Sequence, residues 1–596
     1  MGYSIPKQIL ESCSLAVIAF SFALIIYAFP EIFNIQNVAA ERLFTTRTLN
    51  LTQTDISGEA GESGGTEKTS PIEKTSPIEK NDLPDTRMTL HQAASDPQLC
   101  VNYDSREREI SISCKNANLT MIQKVISNPS ALTKENDTVW LLNSNLTIEP
   151  DAYLSIDSND TKWLKINSTA SEDAYHIDVL GSLKIDGVKI SSWNTTANNY
   201  TFTNGTTHRA SIAILPDSTG STKILNSELA YLGYDRSPRQ GLYFSGGDGS
   251  IVRNNTIHHM WFGFYSKGTG NVTIEDNHVY DSLKYGIDPH TGTHDMVIRN
   301  NKVNGNGHIG IICSLDCKNI TIDGNVVFNN TNSGIMLSKN VQNSIVRNNR
   351  ILNESTGISI SQSANNDIYN NTITSIDFGI QAKLNSSRNL IQNNSVTDAA
   401  RYGILMVNAP KENLVMHNRI INPSQNGICV TAKGSGNIIT ANVIENSQRH
   451  GICVNNQVSD NQIRSNLILG ALGYGIYVTN SNLQNNTFMN NAIQNTKSGI
   501  TLSNNTDSVF LQNEIGNVDR FEYIVGDNSA LNLNNTAFSS DKIRSSDGNN
   551  SLYIYNSGVL NVTQGKITNT TTFNTNNEPY SLQLPTNESL TVTTSK

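Results

Sequence analysis

Charged residues and hydrophobic residues are both scarce in this sequence. Asp, Glu, Lys and Arg make up 16% of the 596 residues, hydrophobic residues 37% and aromatic residues 7%, and the formal net charge is -9. Because such a chain lacks the clustered cations that displace phosphate counterions, its composition argues against nucleic acid as the main partner. The composition indicates a polar, turn-rich protein, on which a polyanionic ligand would need a local basic patch.

Long hydrophobic runs are almost absent, with one exception near the N-terminus. From Cys13 to Phe33 the chain carries no charge before Glu31, which is about the 20 residues that a membrane helix needs. We predict that residues 1–40 form a signal anchor that holds the rest of the chain at the extracellular face of the membrane. A cleaved signal peptide and a secreted protein are the alternative. Acceptor sequences for N-linked glycans support export, for example at Asn118, Asn145, Asn167, Asn194, Asn271 and Asn319.

Cysteine is also rare. Outside the apolar run, the spacing suggests three disulfides, Cys100 with Cys114, Cys313 with Cys317, and Cys429 with Cys453. The middle pair has C-x3-C spacing without a second half, so it is not a zinc signature. We therefore predict no metal site and no cofactor.

Residues 41–98 have no apolar periodicity with which to build a core. They contain the repeated hexapeptide EKTSPI, at Glu67–Ile72 and again at Glu73–Ile78. This composition predicts a flexible linker.

Residues 99–240 change to short, alternating, β-branched runs separated by Gly, Asp and Asn, which is typical of strands and turns. We predict an N-terminal cap and first coils here, with a short helix at Leu119–Ser127. The predicted strands are Thr138–Leu142, Leu154–Ile156, Leu164–Ile166, His176–Leu180 and Leu183–Ile190.

Residues 241–525 are periodic. A Gly followed by an apolar or aromatic residue recurs every 22 to 24 residues, and Asn residues such as Asn277, Asn301 and Asn325 keep the same step. Repeats of this length without a helix predict an all-β fold, a right-handed parallel β-helix with three short strands per coil and Asn side chains laddered from coil to coil. We expect residues 526–596 to form a C-terminal β cap and a polar tail. The repeat glycines are Gly241, Gly263, Gly286, Gly310, Gly334, Gly357, Gly379, Gly403, Gly427, Gly451, Gly475 and Gly499.

The period also predicts where side chains point. If the residue after each Gly faces the core, strand alternation turns the second and fourth residues outward. In the coil of Gly286 these outward residues are Asp288 and His290, with Tyr265 and Lys267 one coil earlier. Tyr265 is predicted either to form a sugar platform or only to pack against its neighbours.

The segment Tyr285-Gly-Ile-Asp-Pro-His290 resembles the Y-G-[FI]-D-P-H motif of mannuronan C5-epimerases, which convert mannuronate to guluronate within alginate. Gly310–Ile312 and Ser333–Lys339 also resemble the periplasmic type. The resemblance implies that Tyr285, Asp288 and His290 are catalytic residues. Two positions depart from the family pattern, Thr291 in place of an acidic residue and Ser314 in place of a carboxylate, with Asp316 two residues further on.

The chemistry of C5 epimerisation requires residues of the same types, independently of the resemblance. Inverting C5 of a uronate needs a group that neutralises the carboxylate, a base on one face and an acid on the other. His290 and Tyr285 can be base and acid in either order, while Asp288 either orients the imidazole or, if protonated, binds the substrate carboxylate. The remaining predicted substrate-binding residues are Lys267, Lys284, Lys339, Arg299, His308, Tyr265 and Asp316.

We therefore predict a monomeric epimerase acting on an acidic extracellular polysaccharide, a uronan. Two alternatives stay open. The same residues can carry out β-elimination as a polysaccharide lyase, or the β-helix can be a non-catalytic glycan-binding surface protein.

Overall fold

The computed structural model describes residues 97–526 except 170–173, 480–483 and 505–506, and beyond 526 the backbone of seven short strands. The predicted anchor and almost all of the predicted linker lie outside the described residues. Within the part of the chain that is described, no helix is long and apolar enough to span a bilayer.

The N-terminal part combines two short helices with the first coils. The predicted helix is confirmed: Asn118 caps it by accepting a hydrogen bond from the Met121 amide at 2.8 Å. Its end at Val125 comes two residues before the predicted end. The elements are α1 Pro97–Cys100, β1 Val101–Asp104, β2 Glu109–Ile112, α2 Leu119–Val125, β3 Leu132–Asn136, β4 Val139–Leu142, β5 Asn145–Ile148, β6 Tyr153–Asp157, β7 Trp163–Asn167, β8 His176–Val179, β9 Ser182–Asp186, β10 Lys189–Asn194, β11 Asn199–Tyr200, β12 Ser211–Ile214, β13 Thr222–Leu225 and β14 Glu228–Ala230.

One strand prediction in this part is wrong. The run Leu183–Ile190 is two strands, β9 and β10, because Gly187 between them has a φ of +70° and turns the chain.

The regular coils follow. Their strands are β15 Gly241–Phe244, β16 Ile251–Arg253, β17 Thr256–His258, β18 Phe262–Lys267, β19 Thr273–Glu275, β20 His278–Tyr280, β21 Ile287–His290, β22 Val297–Arg299, β23 Lys302–Asn304, β24 Ile311–Ser314, β25 Thr321–Asp323, β26 Val326–Phe328, β27 Ser333–Ser338, β28 Ile345–Arg347, β29 Arg350–Ser361, β30 Asp367–Tyr369, β31 Thr372–Lys383, β32 Leu390–Gln392, β33 Ser395–Thr397, β34 Tyr402–Val407, β35 Leu414–Met416, β36 Arg419–Ile421, β37 Asn426–Thr431, β38 Ile438–Thr440, β39 Val443–Glu445, β40 Ile452–Asn455, β41 Gln462–Arg464, β42 Leu467–Leu469, β43 Tyr474–Thr479, β44 Gln484–Met489, β45 Ala492–Gln494, β46 Ser498–Ser503, β47 Asp507–Leu511, β48 Glu514–Gly516 and β49 Tyr523–Val525.

These strands stack in parallel on three faces, which confirms the predicted solenoid of three strands per coil. Face A contains the strands at the repeat glycines, for example β18, β21, β24 and β27. Face B contains β19, β22 and β25, and face C contains β20, β23 and β26. In β29 and β31 the strands of faces C and A run together without a turn.

Beyond residue 526 the backbone strands pair in parallel with the preceding coils, β50 with β47 and β51 with β49. They are β50 Ala530–Asn534, β51 Ile543–Ser545, β52 Ser551–Tyr555, β53 Leu560–Gln564, β54 Thr571–Asn574, β55 Leu582–Gln583 and β56 Val592–Thr594.

The core is one apolar column inside the coils. The first residue after every repeat glycine, from Leu242 to Ile500, is completely buried, as predicted. The glycines allow the coils to approach: a Cβ on Gly286 would lie 2.6 Å from the Gly310 carbonyl oxygen. Because the residue after each repeat glycine is buried, the repeat itself determines which side chains of face A point outward.

The predicted asparagine ladder is present and buried. Asn325 accepts from the Asn301 amide at 2.9 Å and from its Nδ2 at 3.0 Å, and its own Nδ2 donates to Ile298 O and Asn349 Oδ1. The same pattern continues in the neighbouring coils. Each side chain thus satisfies turn groups that would otherwise be buried without partners.

We expect Asn325→Ala to lower the free energy of unfolding by about 1–3 kcal/mol, because it leaves buried donors and acceptors unpaired. Chemical denaturation checks this. Asn159→Ala, at an exposed turn position, is the matched control and is expected to change stability by less than about 0.5 kcal/mol. Equal stability of the two variants would contradict a structural role for the ladder.

Two of the three predicted disulfides are present. Cys100–Cys114 links the β1–β2 hairpin, and Cys429–Cys453 links neighbouring coils at paired positions of β37 and β40. The third prediction is wrong: Cys313 and Cys317 are buried free thiols. Cys313 faces the core from β24, and Cys317 donates to Ser314 O at 3.1 Å.

Candidate functional site

Strand β21 brings the predicted catalytic residues to face A. Asp288 lies in register with Tyr265 of β18, and His290 lies in register with Lys267 of β18 and with Ser314 of β24. Both follow the outward alternation expected from buried Ile287. Asp288 nevertheless has only 1% of its surface exposed, so it lies at the bottom of the surface that face A presents.

Asp288 is an unpartnered acid. Among the residues that the structure describes, neither of its carboxyl oxygens has a hydrogen-bond partner, and both oxygens are buried. Loss of hydration raises the pKa of Asp288 well above its ordinary value, because burial penalises the charged form. Burial therefore favours the protonated carboxylic acid, which has one O–H available as a donor.

His290 is half-buried beside two lysines. Its Nδ1 lies 2.6 Å from Thr291 Oγ1, and its ring centroid lies 5.3 Å from that of Tyr265. Burial lowers the pKa of His290, and Lys339 and Lys267 lower it further. The imidazole is therefore neutral at neutral pH and can accept a proton.

Tyr285 lies immediately before Gly286, at the edge of the same surface. Its ring centroid is 5.4 Å from the ring of Phe262 and 5.4 Å from the ring of His308. Burial raises the pKa of Tyr285, with a smaller contribution from Asp288. The phenol is therefore protonated and can act as a proton donor.

Tyr265 completes the group. It stacks on Tyr243 with ring centroids 5.6 Å apart, and burial first, then Asp288, raises its pKa. Tyr243 is buried, with 4% of its surface exposed, so the contact between the two rings is packing. Only Tyr265 retains an exposed portion toward a ligand.

The predicted cations are exposed around this centre. Lys267 and Lys339 are close enough to His290 to affect its pKa. The ammonium group of Lys284 lies 5.3 Å from the centre of the Trp261 ring. Burial lowers the pKa of His308, and the charge of Lys284 lowers it further. The surface around Asp288 is thus positively charged at its rim.

Two predicted residues are not brought to this centre. Arg299 ends β22 on face B, where its Nε donates to Glu275 at 2.7 Å. Alternation along a strand predicts whether a side chain points outward, as for His290, but it does not predict on which face of the solenoid the strand lies. Asp316 is exposed in the turn after β24, and its Oδ1 accepts from Asn340 Nδ2 at 2.6 Å.

Sequence reasoning missed Phe262. Its ring lies 5.2 Å from Tyr265 and 5.4 Å from Tyr285, so it connects the two phenols. A signal was present, because Phe262 precedes Gly263 as Tyr285 precedes Gly286. Within the described part of the chain, no group of three or more His, Cys, Asp or Glu side chains is arranged to hold a metal ion.

The fold defines the class of protein. Residues 186–351, 339–468 and 429–595 match the family described as right handed beta helix region, and the chain belongs to this family.

Within that class the sequence is distantly similar to mannuronan C5-epimerases. It is 27% identical to the enzyme of Pseudomonas syringae over 256 residues, which are 41% of this chain and 47% of the relative. It is 32% identical to that of Pseudomonas aeruginosa over 92 residues, 13% of this chain and 17% of the relative. The chain thus spans less than half the length of these relatives. A mutant of the periplasmic alginate epimerase AlgG is 19% identical, with 68% of this chain and all of that chain covered, at a TM-score of 0.48. The predicted resemblance is confirmed as distant similarity.

Proposed function

We propose that this protein is a polysaccharide C5-epimerase that inverts uronate residues of an acidic polymer outside the cytoplasm. The observation that carries the proposal is the buried, unpartnered carboxyl of Asp288 beside Tyr265, Tyr285 and His290. A neutral acid in this position can donate a hydrogen bond to a substrate carboxylate. A β-helix with a purely structural role has no use for a buried carboxyl group without a partner. The sequence similarity described above supports the reaction class.

The reaction exchanges one proton at C5. His290 removes it with Nε2, because Nδ1 is held by Thr291, and the electron pair moves into the adjacent carboxylate. Asp288 donates its O–H to that carboxylate while charge accumulates there, and Lys267 and Lys339 lower the energy of the same charge. Tyr285 then delivers its phenolic proton to C5 from the opposite face of the ring, and solvent returns the proton from His290 to Tyr285. No oxidant or reductant is consumed.

The disulfides Cys100–Cys114 and Cys429–Cys453 support a location in an oxidising compartment outside the cytoplasm. Membrane attachment through residues 1–40 and a monomeric state remain predictions.

The direct test is proton NMR of polymannuronate and related uronans incubated with the full-length protein. Appearance of C5-inverted residues supports the epimerase. Unsaturated chain ends would mean that the O4 substituent leaves before reprotonation and that the protein is a lyase. Binding of the polymers without any new signal would favour the non-catalytic glycan-binding protein.

The pH dependence gives a second test. Because kcat/KM follows the neutral form of His290, it is expected to fall only below the ordinary histidine pKa of 6.5, by about tenfold per pH unit. Lys339→Ala removes one cause of the lowered pKa and should move this acid limb to higher pH. Lys318→Ala, an exposed lysine on the turn after β24, should not. An acid limb that is unmoved by Lys339→Ala would contradict the assignment of His290 as the base.

A further inference from the structure

A second apolar cluster lies outside the solenoid core, on face A. Its buried members are Leu405, Cys429 and Cys453, with half-buried Phe378, Tyr402, Val407 and Tyr477 packed against them. The outward position of the disulfide makes Cys429–Cys453 the floor of this cluster. We call Phe378, Arg401, Tyr402, Leu405 and Tyr477 the distal platform.

The distal platform combines flat rings with a cation. Phe378 and Tyr402 are stacked, with centroids 5.9 Å apart and planes 3° from parallel. The exposed Arg401 guanidinium lies 5.0 Å above the Phe378 ring and 6.0 Å above that of Tyr402. Arg401 makes no ion pair within the described residues. Such a site suits a ring that has an apolar C–H face and a carboxylate, because guanidinium groups bind carboxylates while lying on aromatic faces.

The distal platform is in line with the candidate catalytic centre. The ladder Ile287, Ile311, Ile335, Ile358, Ile380 and Ile404 places Leu405 five coils from Asp288 at the same outward position. At about 4.8 Å per coil the separation is about 24 Å. Lys383 lies on face A between the two sites, half-buried and without an ion pair in the described structure.

We propose that the distal platform binds the same uronan chain whose reacting residue lies at Asp288, several sugar units away along the helix axis. The inference rests on the proposed function for its substrate. The polymer then runs parallel to the solenoid axis across face A, with Arg401 holding a carboxylate and the exposed portions of the half-buried Phe378 and Tyr402 contacting the C–H groups of a pyranose ring. Substrates long enough to reach both sites are bound more tightly than short ones.

The expected consequence is a dependence of rate on chain length. In the double variant Phe378→Leu, Arg401→Ala, the ratio of kcat/KM on long polymannuronate to kcat/KM on oligomers too short to span five coils should fall by roughly tenfold. Arg350→Ala, an exposed arginine at the start of β29 on face C, is the matched control and should leave the ratio unchanged. An unchanged ratio in the double variant overturns the proposal.

Binding separates this inference from the proposed reaction. Calorimetry of polymannuronate binding is carried out on the otherwise intact full-length chain, with and without the double substitution, and needs no turnover. A roughly tenfold weaker affinity in the double variant upholds the distal platform even if no epimerisation is found, in which case only the proposed function fails. Equal affinity overturns the platform whether or not the protein is an epimerase.

Discussion

Replacing His290 by alanine is expected to lower kcat/KM on a uronan by about 10²–10⁴, the range that a positioned general base contributes. The reason is that His290 is the neutral imidazole beside Asp288, with Nδ1 engaged by Thr291 and two lysines that disfavour its protonation. Initial rates of C5 inversion by NMR give the loss. The thermal midpoint should change little, because within the described structure the ring has one hydrogen bond, which is to the adjacent Thr291.

His294→Ala is the matched control for this prediction. His294 lies four residues further on, is half-buried, and pairs with the neighbouring Asp295 at 2.8 Å. Its replacement should leave the rate unchanged. If the His290 variant kept activity within a few-fold of the native protein, proton abstraction would have to be assigned to another residue, and Tyr285 is the first alternative.

Asp288 is expected to be needed for activity although it does not stabilise the fold. Asp288→Ala removes the O–H donor to the substrate carboxylate and should lower kcat/KM by about 10²–10³. In Asp288→Asn the new side chain is similar in size to that of aspartic acid and has an N–H donor. This variant should therefore retain more activity than the alanine variant. If the Asp288→Ala variant were as active as the native protein, the proposed hydrogen bond from Asp288 to the substrate carboxylate would be excluded.

Asp288 is expected to support activity but to lower the stability of the fold at neutral pH. The unfolded chain ionises Asp288 near pH 3.9, whereas burial keeps it protonated in the fold to a much higher pH. Folding therefore binds a proton at Asp288 in this window, and the contribution of Asp288 to stability is greatest below about pH 4 and falls as pH rises toward the folded pKa. The contribution is about 1.4 kcal/mol per pH unit.

Denaturation of the Asp288→Asn variant at several pH values checks this. Since asparagine does not titrate, the variant should gain stability relative to the native protein as pH rises from 4 to 8. A constant difference across that range would show that Asp288 is ionised in the fold and that its role as a hydrogen-bond donor is wrong. Lost activity together with gained stability would identify a residue retained for function.

Most of the fold could be predicted from the sequence. One glycine and at least one laddered asparagine per coil, such as Gly286 and Asn301, repeat at a nearly constant step, and this step specifies stacked coils without any knowledge of distant contacts. The exposed direction of His290 followed from the same count. The error at Leu183–Ile190 arose where a single glycine, Gly187, turns the chain inside one apolar run.

The candidate site could be predicted only in part. Tyr285, Asp288 and His290 are close in sequence, so the strand itself brings them together. Lys267 and Lys339 lie near His290 because the coils stack in register. Spacing alone did not show that Arg299 lies on face B, since a short turn decides whether a residue belongs to face A or face B. Cys313 and Cys317 were paired by spacing, although one side chain faces the core and the other donates to a carbonyl.

The sequence by itself determined the repeat, the core and the order of side chains along each face, because these depend on local alternation and on contacts one coil away. The tertiary structure alone decided the environment of those side chains. Burial of Asp288 and the outward cluster at Leu405, which stands in line with it five coils further on, depend on how many neighbours cover a position. Hydration is lost through the combined packing of several strands, and no single stretch of sequence records it.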